Sequence, residues 1–264
     1  MVTLVALAQT EAWKAEGHAP EPIFERIVAD FGPWLLLAAL AAALLHAALR
    51  NRRYRALGVL SENDQARVHE ALRAAEKRTV GEVVPVVVER SDAHPSGEWV
   101  AALGFLLLGS ALLAPHLYRL GPGLFLLAQL ALGALGFALA RALPGFKRLF
   151  VSERRATEAA EEQAFQEFHR LDLHRTEAET GMLLFVSLFE RRVVVLGDRG
   201  IDAKVGKDAW LATSQAILDG IARGSLREGL IEGIRRSEDV LAQHFPWTEG
   251  DRNEVPDRLV VRRH

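Results

Sequence analysis

The stretch GEVVPVVVERSDAHPSGEWVAALGFLLLGSALLAPHL, residues 81–117, changes character partway along. Val83, Val84, Val86, Val87 and Val88 form a run that suits a strand covered on both faces, as in a parallel or mixed sheet. From Trp99 onward the residues are those of a helix in lipid. A chain written this way must break off a sheet to enter an apolar phase, and few folds permit that.

Three windows hold most of the apolar residues: 31–49 (FGPWLLLAALAAALLHAAL), 99–117 and 121–140 (GPGLFLLAQLALGALGFALA). Each is close to the ~20 residues that cross a hydrocarbon core of about 30 Å. Their strongly polar side chains are His46, His116 and Gln129, so none shows the charged face of a surface helix. The expectation is three transmembrane helices, the last two joined as a hairpin by YRLGP at 118–122, where Gly and Pro break the helix. A buried helical hairpin in a soluble protein is the alternative. A mean hydropathy of +0.08 beside 25% charged residues is then the average of two unlike parts.

Lysine and arginine set the orientation. Arg50, Arg52, Arg53 and Arg55 follow the first window, and Arg141, Lys147, Arg148, Arg154 and Arg155 follow the third. The hairpin turn has Arg119, and the tail at 1–30 has Lys14 and Arg26. The positive-inside rule places the tail and the turn outside the plasma membrane and the hydrophilic remainder in the cytoplasm. The opening MVTLVALAQTEA ends its apolar run in Ala-Leu-Ala like a cleaved signal peptide, yet has no positive n-region and a short h-region. It reads instead as an N-terminal segment running into a short amphipathic stretch.

Cysteine is absent, which removes disulfides, thiolate nucleophiles and Cys-ligated zinc. A net charge of −2 gives no basic stripe for nucleic acid. The arginine clusters flank membrane windows, where anionic lipid headgroups are the natural partner.

The hydrophilic segments read as an α/β domain. SENDQARVHEALRAAEKRT, 61–79, opens with a Ser61–Asp64 cap and continues with Val68, Ala71, Leu72 and Ala75 at helical spacing. A second charged helix is expected over 152–171. Strands are expected at 182–189 and 193–196 around a Glu190-Arg191-Arg192 turn exposed to solvent, and two helices follow, separated by Gly224 and Ser225. A strand, a crossover helix and a strand of like character make a βαβ unit, so the sheet is expected to be partly parallel. Neither half is a domain alone. The expected parts are 60–97 and 150–246, interrupted by the membrane hairpin at 98–141, with a tail at 247–264.

LSENDQARVHEALRAAEKRTVGEVVPVVV and HRTEAETGMLLFVSLFERRVVVLGDRGI, with GSLREGLIEGI and NEVPDRLVV, resemble the TPM domain family. That family comprises the thylakoid acid-phosphatase-like, photosystem-repair and receptor-auxiliary proteins. The likeness covers about residues 60–260 and is nearest to a bacterial membrane branch with a transmembrane hairpin inside the domain. It implies a TPM-like mixed sheet with packed helices. It also implies either an auxiliary or assembly role in a membrane complex, or a phosphatase-like or calcium-binding activity.

Enzymatic signatures are sparse: there is no D-x-D, P-loop, EF-hand loop or H-E-x-x-H. The polar loop GDRGID places Asp198, Arg199 and Asp202 after a strand, where open α/β sheets tend to hold ligands. Asp198 and Asp202, with Glu82 and either Glu62 or Asp64, would offer hard oxygens to calcium or magnesium. A parallel arrangement of the two strands would put Glu82 at the opposite end. The simpler reading is a turn with Gly197 and Gly200 at positive φ and Asp198 as a cap. Arg175, Thr176 and Thr180 suit an anion, or a local cap at Thr176 and Glu179. His46 is an intramembrane ionisable group, and Gly104, Gly109, Gly133 and Gly136 allow close helix packing, within the hairpin or against a membrane partner. The helix DAWLATSQAILDGI carries Trp210, Ala216, Ile217 and Ile221 on a face expected to pack on the sheet. With no activated nucleophile in sight, the expectation is an interaction or assembly protein, and a metal-dependent hydrolase is the alternative.

Overall fold

The computed structural model describes residues 59–117, 121–249, 254–255 and 258–262, together with isolated positions between 31 and 45. The chain forms two compact units, Met1–Ala43 with Ala101–Ala138, and Leu44–Val100 with Leu139–His264.

The second unit is the α/β domain. Helix α1, Glu62–Ala75, opens with the expected capping box: Ser61 Oγ accepts from the Asp64 amide at 3.2 Å, and Asp64 Oδ2 accepts from the Ser61 amide at 3.0 Å. Two orphan donors are thereby satisfied, and Val68, Leu72 and Ala75 are turned inward. Strands β1, Glu82–Val88, and β2, Gly181–Ser187, are buried along their whole length and pair in parallel from Glu82 opposite Gly181 to Val88 opposite Ser187.

β3, Arg192–Gly197, pairs antiparallel with β2, and β4, Val260–Arg262, pairs parallel with β1, giving the order β3-β2-β1-β4. The fourth strand corrects the expected boundary, since part of the assigned tail belongs to the sheet. Three residues with no flanking pattern carry too little periodicity to announce a strand.

β1 is a central strand containing a proline, and the register explains how. The Glu82 amide donates toward β2, to Thr180, whereas the Glu89 amide donates toward β4, to Arg262. Alternation puts the missing donor of Pro85 on the β4 side, and β4 begins to pair only at Val86.

Side chains alternate across the sheet. Met182, Leu184 and Val186 join Leu72, Ile217, Leu230, Ile234 and Leu241 on one face, while Leu183 and Phe185 join Ala160, Ala164 and Phe168 on the other. Helix α5, Glu153–Arg170, therefore covers one face, and α1, α7 (Lys207–Ala222) and α8 (Leu226–His244) cover the other. Each wholly buried Leu, Ile or Phe contributes about 1.5–3 kcal/mol. Of the four apolar residues singled out on α7, Ala216 and Ile217 are buried, Trp210 is half-buried and Ile221 lies at the surface.

Among the described residues, two helices are long and apolar enough to cross a membrane. They lie within α2, Pro95–Leu117, and α3, Pro122–Ala142, and most of either is left uncovered by the rest of the chain. Between them Gly121 takes a φ of 84°, the left-handed turn that only glycine adopts without strain. In the first unit a Cβ at Gly136 would lie 2.7 Å from the Ala101 carbonyl oxygen, so this glycine lets α2 and α3 touch. Gly109 and Gly133 also face the opposing helix, against Leu132 and Leu106, whereas a Cβ at Gly104 would meet none of the described residues within 4 Å. The first apolar window lies largely outside the described residues, and His46 wholly so.

Candidate functional site

The sequence directs attention to one end of the sheet. Because β3 runs antiparallel to β1, Asp198 emerges at the same sheet end as Glu82, not the opposite end that parallel strands would give. That end carries the N-termini of β1 and β2, so the loop does not occupy the carboxyl-end crevice of the parallel pair. With β2 between them, the backbones of the two acids start about 10 Å apart.

Glu82, Asp198, Asp202 and Asp64 each have a partner within the chain. Glu82 Oε1 accepts from the Glu254 amide at 2.9 Å, Asp202 Oδ1 accepts from Trp210 Nε1 at 3.2 Å, and Asp198 accepts from the Arg199 amide at 2.8 Å. Asp64 pairs instead with Arg227 at 2.7 Å, an interaction that with the Ser61 bonds holds its carboxyl below the usual range. Among the described residues no cluster of three or more His, Cys, Asp or Glu suits a metal ion. One group is left over: Asp198 Oδ2 is buried without a hydrogen-bond partner.

The anion trio resolves as backbone chemistry. Thr176 Oγ1 accepts from the Thr180 amide at 2.9 Å, Thr180 Oγ1 donates to the Val80 carbonyl at 3.3 Å, and exposed Arg175 lies 3.6 Å from Asp172. Gly197 and Gly200 keep negative φ, contrary to expectation. Gly200 is required for another reason: a Cβ there would lie 2.7 Å from the Glu179 carbonyl oxygen.

The polar concentration that the sequence reading missed lies at the other sheet end, where β1 and β2 terminate. The β2–β3 turn was expected to be solvated, yet Glu190 is 0% exposed. Its Oε1 lies 2.6 Å from His94 Nε2, its Oε2 accepts from the Ser91 amide at 3.0 Å, and Ser187 Oγ donates to the same oxygen. Ser91 Oγ donates to Ser187 Oγ at 2.9 Å, so the two hydroxyls form a relay ending on the carboxylate. Burial pushes the Glu190 carboxyl up, but the bonds from His94, Ser187 and Ser91 outweigh it and hold it below the ordinary range. A charge is held here because every approach to it is a donor.

Next to this node lie residues 95–100 and 139–147, the ends through which the α/β unit connects to the membrane-length helices. Lys147, 6% exposed, donates to Glu98 Oε1 at 2.9 Å and to the Ala93 carbonyl, and Arg141 lies 3.7 Å from Glu98 Oε2. The first turn of α2 and the chain leaving α3 are thus fastened to one another through Glu98. On the other side Asp92 meets Arg155 of α5 at 3.3 Å.

A groove of about 410 Å³ lies beside the same turn, lined by Val186, Leu188, Arg192, Val193, Leu218 and Ile221. Arg192 is committed to Glu153 at 2.6 Å and to Thr157 at 2.8 Å. The arrangement is that of a structural joint: the cluster contains a buried base and two hydroxyls, yet the Ser187 hydroxyl is spent on Glu190 and the Ser91 hydroxyl on Ser187. His94 takes a φ of 46°, directly before the proline that starts α2. The His-Pro step ahead of an apolar helix was the one local signal that marked it.

No protein-family model and no curated protein matches the chain. Among solved structures, it is similar to the BA42 protein from the psychrophilic bacterium Bizionia argentinensis, determined by NMR, at 20% identity. The match covers 76% of this chain and 94% of that one, with a TM-score of 0.49.

Proposed function

We propose that this chain is a multi-pass plasma-membrane protein whose TPM-like α/β domain lies on the cytoplasmic side and serves as an interaction or assembly subunit of a membrane complex. The supporting observation is the joint itself. A hairpin of membrane length departs between β1 and β2, and its two ends are tied into the domain by Glu98, Lys147 and Arg141. An anchor alone would need no such fastening; a domain that must hold a defined pose toward a membrane partner would. Gly104, which meets no neighbour within 4 Å, marks the part of α2 open to another helix.

The test is native electrophoresis of mildly solubilised protein, comparing the wild type with Gly104→Phe. A stoichiometric larger complex that the substitution releases supports the reading. Wild-type protein that migrates alone sinks it. Sidedness is tested with single cysteines placed in this cysteine-free chain, which are expected to be labelled from the cytoplasm in the domain and from outside in the 118–122 turn.

A second reading, a metal-dependent phosphatase-like activity, draws support from the unpartnered Asp198 Oδ2. Calcium or magnesium should then raise the melting temperature of the wild type and not of Asp198→Ala. An equal response in both proteins discards it.

A further inference from the structure

The joint contains one group that its bonds leave unused. His94 is 1% exposed, and its Nδ1 is buried with no hydrogen-bond partner. The ring is otherwise fixed, with Nε2 2.6 Å from Glu190 Oε1 and its plane stacked on Phe189 at a centroid distance of 5.3 Å. With Glu190 ionised, Nε2 carries the proton and Nδ1 presents a lone pair. Asp92 Oδ2 lies 3.6 Å from that lone pair, acceptor facing acceptor.

The charged surroundings come from four elements. Glu190 faces the ring from the β2–β3 turn, and Asp92 faces it from the loop preceding α2. Arg155 of α5 lies beyond Asp92 at 3.3 Å. Lys147, on the short helix α4 (Pro144–Lys147), holds the neighbouring Ala93 carbonyl and Glu98. Two carboxylates thus flank the imidazole, and the two cations are each already bound to an acceptor.

We propose that His94 is a proton-operated latch. Uptake of a proton from water at Nδ1 supplies the donor that Asp92 lacks and leaves Glu190 ionised as counter-ion. The imidazolium then bridges two carboxylates, and the added bond to Asp92 stiffens the 91–94 loop, which Ser91, Asp92 and His94 already tie to Glu190, immediately ahead of Pro95, the first residue of α2. Loss of that proton restores two facing acceptors and loosens the loop, while its bonds to Glu190 persist. The first turn of α2, which holds Glu98, receives the change directly. This inference rests on the joint's geometry and stands apart from the assembly reading.

The experiment is hydrogen exchange on the full-length protein in lipid nanodiscs, between about pH 8 and about pH 5.5, a range that spans histidine titration. After correction for intrinsic rates, amides of residues 91–99 are expected to exchange about tenfold more slowly at the lower pH, the equivalent of ~1.4 kcal/mol. His94→Gln should abolish the change. Because that variant removes a buried ring, Asp92→Ala is the decisive one, since its half-exposed side chain leaves the fold intact. Arg155→Gln, which removes the other partner of Asp92, should keep the response.

Loss of the pH response in Asp92→Ala with retention in Arg155→Gln supports the latch. A response that survives in Asp92→Ala, or its absence from the wild type, overturns it. So does equal loss in both variants, which would make the Asp92–Arg155 ion pair the sensor.

Discussion

The two ends of the sheet use polar side chains in opposite ways. Where β1 and β2 begin, Glu82, Asp198, Thr176 and Thr180 each bond a backbone group, Asp198 and Thr176 within a few residues and Glu82 and Thr180 on segments far away in sequence. Where the strands end, Glu190 gathers Ser91 and His94 from a segment nearly a hundred residues earlier in the chain. The first end is a set of separate side-chain-to-backbone bonds, no two of which share a partner. The second is a cooperative knot in which each member is buried because the others are present, so removing one strands the rest.

That contrast orders the expected effects. Glu190→Ala leaves His94 and the Ser187 hydroxyl buried without their acceptor and should cost about 3 kcal/mol. At ~2–4 °C per kcal/mol for a domain of this size, the melting temperature should fall by about 6–12 °C. A loss no larger than that of a surface substitution would break the distinction between the two ends.

Acid should act next. The Glu190 carboxyl is held below its ordinary value, so the folded state binds its proton less readily than the unfolded chain does. Its contribution is fully present above about pH 4.3, the unfolded value, and is lost as pH falls through the lower folded value. Glu232 behaves with the same sign: Arg235 and Arg236 bring it down to about 2, which places its window between about pH 4.3 and about 2. Denaturation of the wild type followed through this range should be steeper than that of Glu190→Gln, which has no charge to neutralise there.

Smaller still is Asp198→Ala. It removes a cap from the four-residue helix α6, Arg199–Asp202, and also relieves an unpartnered buried oxygen, so a net cost of about 1 kcal/mol or less is expected in a denaturant titration. Arg175→Ala should change stability by less than about 0.5 kcal/mol, because its guanidinium is exposed and its partner Asp172 equally so. A larger effect from Arg175 than from Asp198 would mean that the loop has a ligand its local bonds do not reveal.

The same contrast explains what could be read without coordinates. The Ser61–Asp64 cap, the valine strand and the two membrane-length helices α2 and α3 are written in neighbouring residues, and each lies where the pattern placed it. Asp198 and Thr176 were recognisable as caps for the same reason.

Glu190-Arg191-Arg192 was misread because a charged triplet between strands normally belongs in water, and only His94 and Ser91, distant in sequence, show otherwise. The direction of β3 relative to β1 also escaped, since it depends on β2 lying between them. Among the glycines, Gly109, Gly133 and Gly136 are used inside the hairpin and Gly104 is not, a division that composition could not make.

The register of β1 also imposes a timetable. Glu82 has no strand partner until Gly181 has been synthesised, and at ~5–20 residues per second that delay is roughly 5–20 s. Throughout it, a valine-rich strand waits at the ribosome while the apolar helices encoded between the two are already exposed. Under the proposed membrane reading, delivery of those helices comes before sheet closure, and the fold depends on the order in which its parts are made.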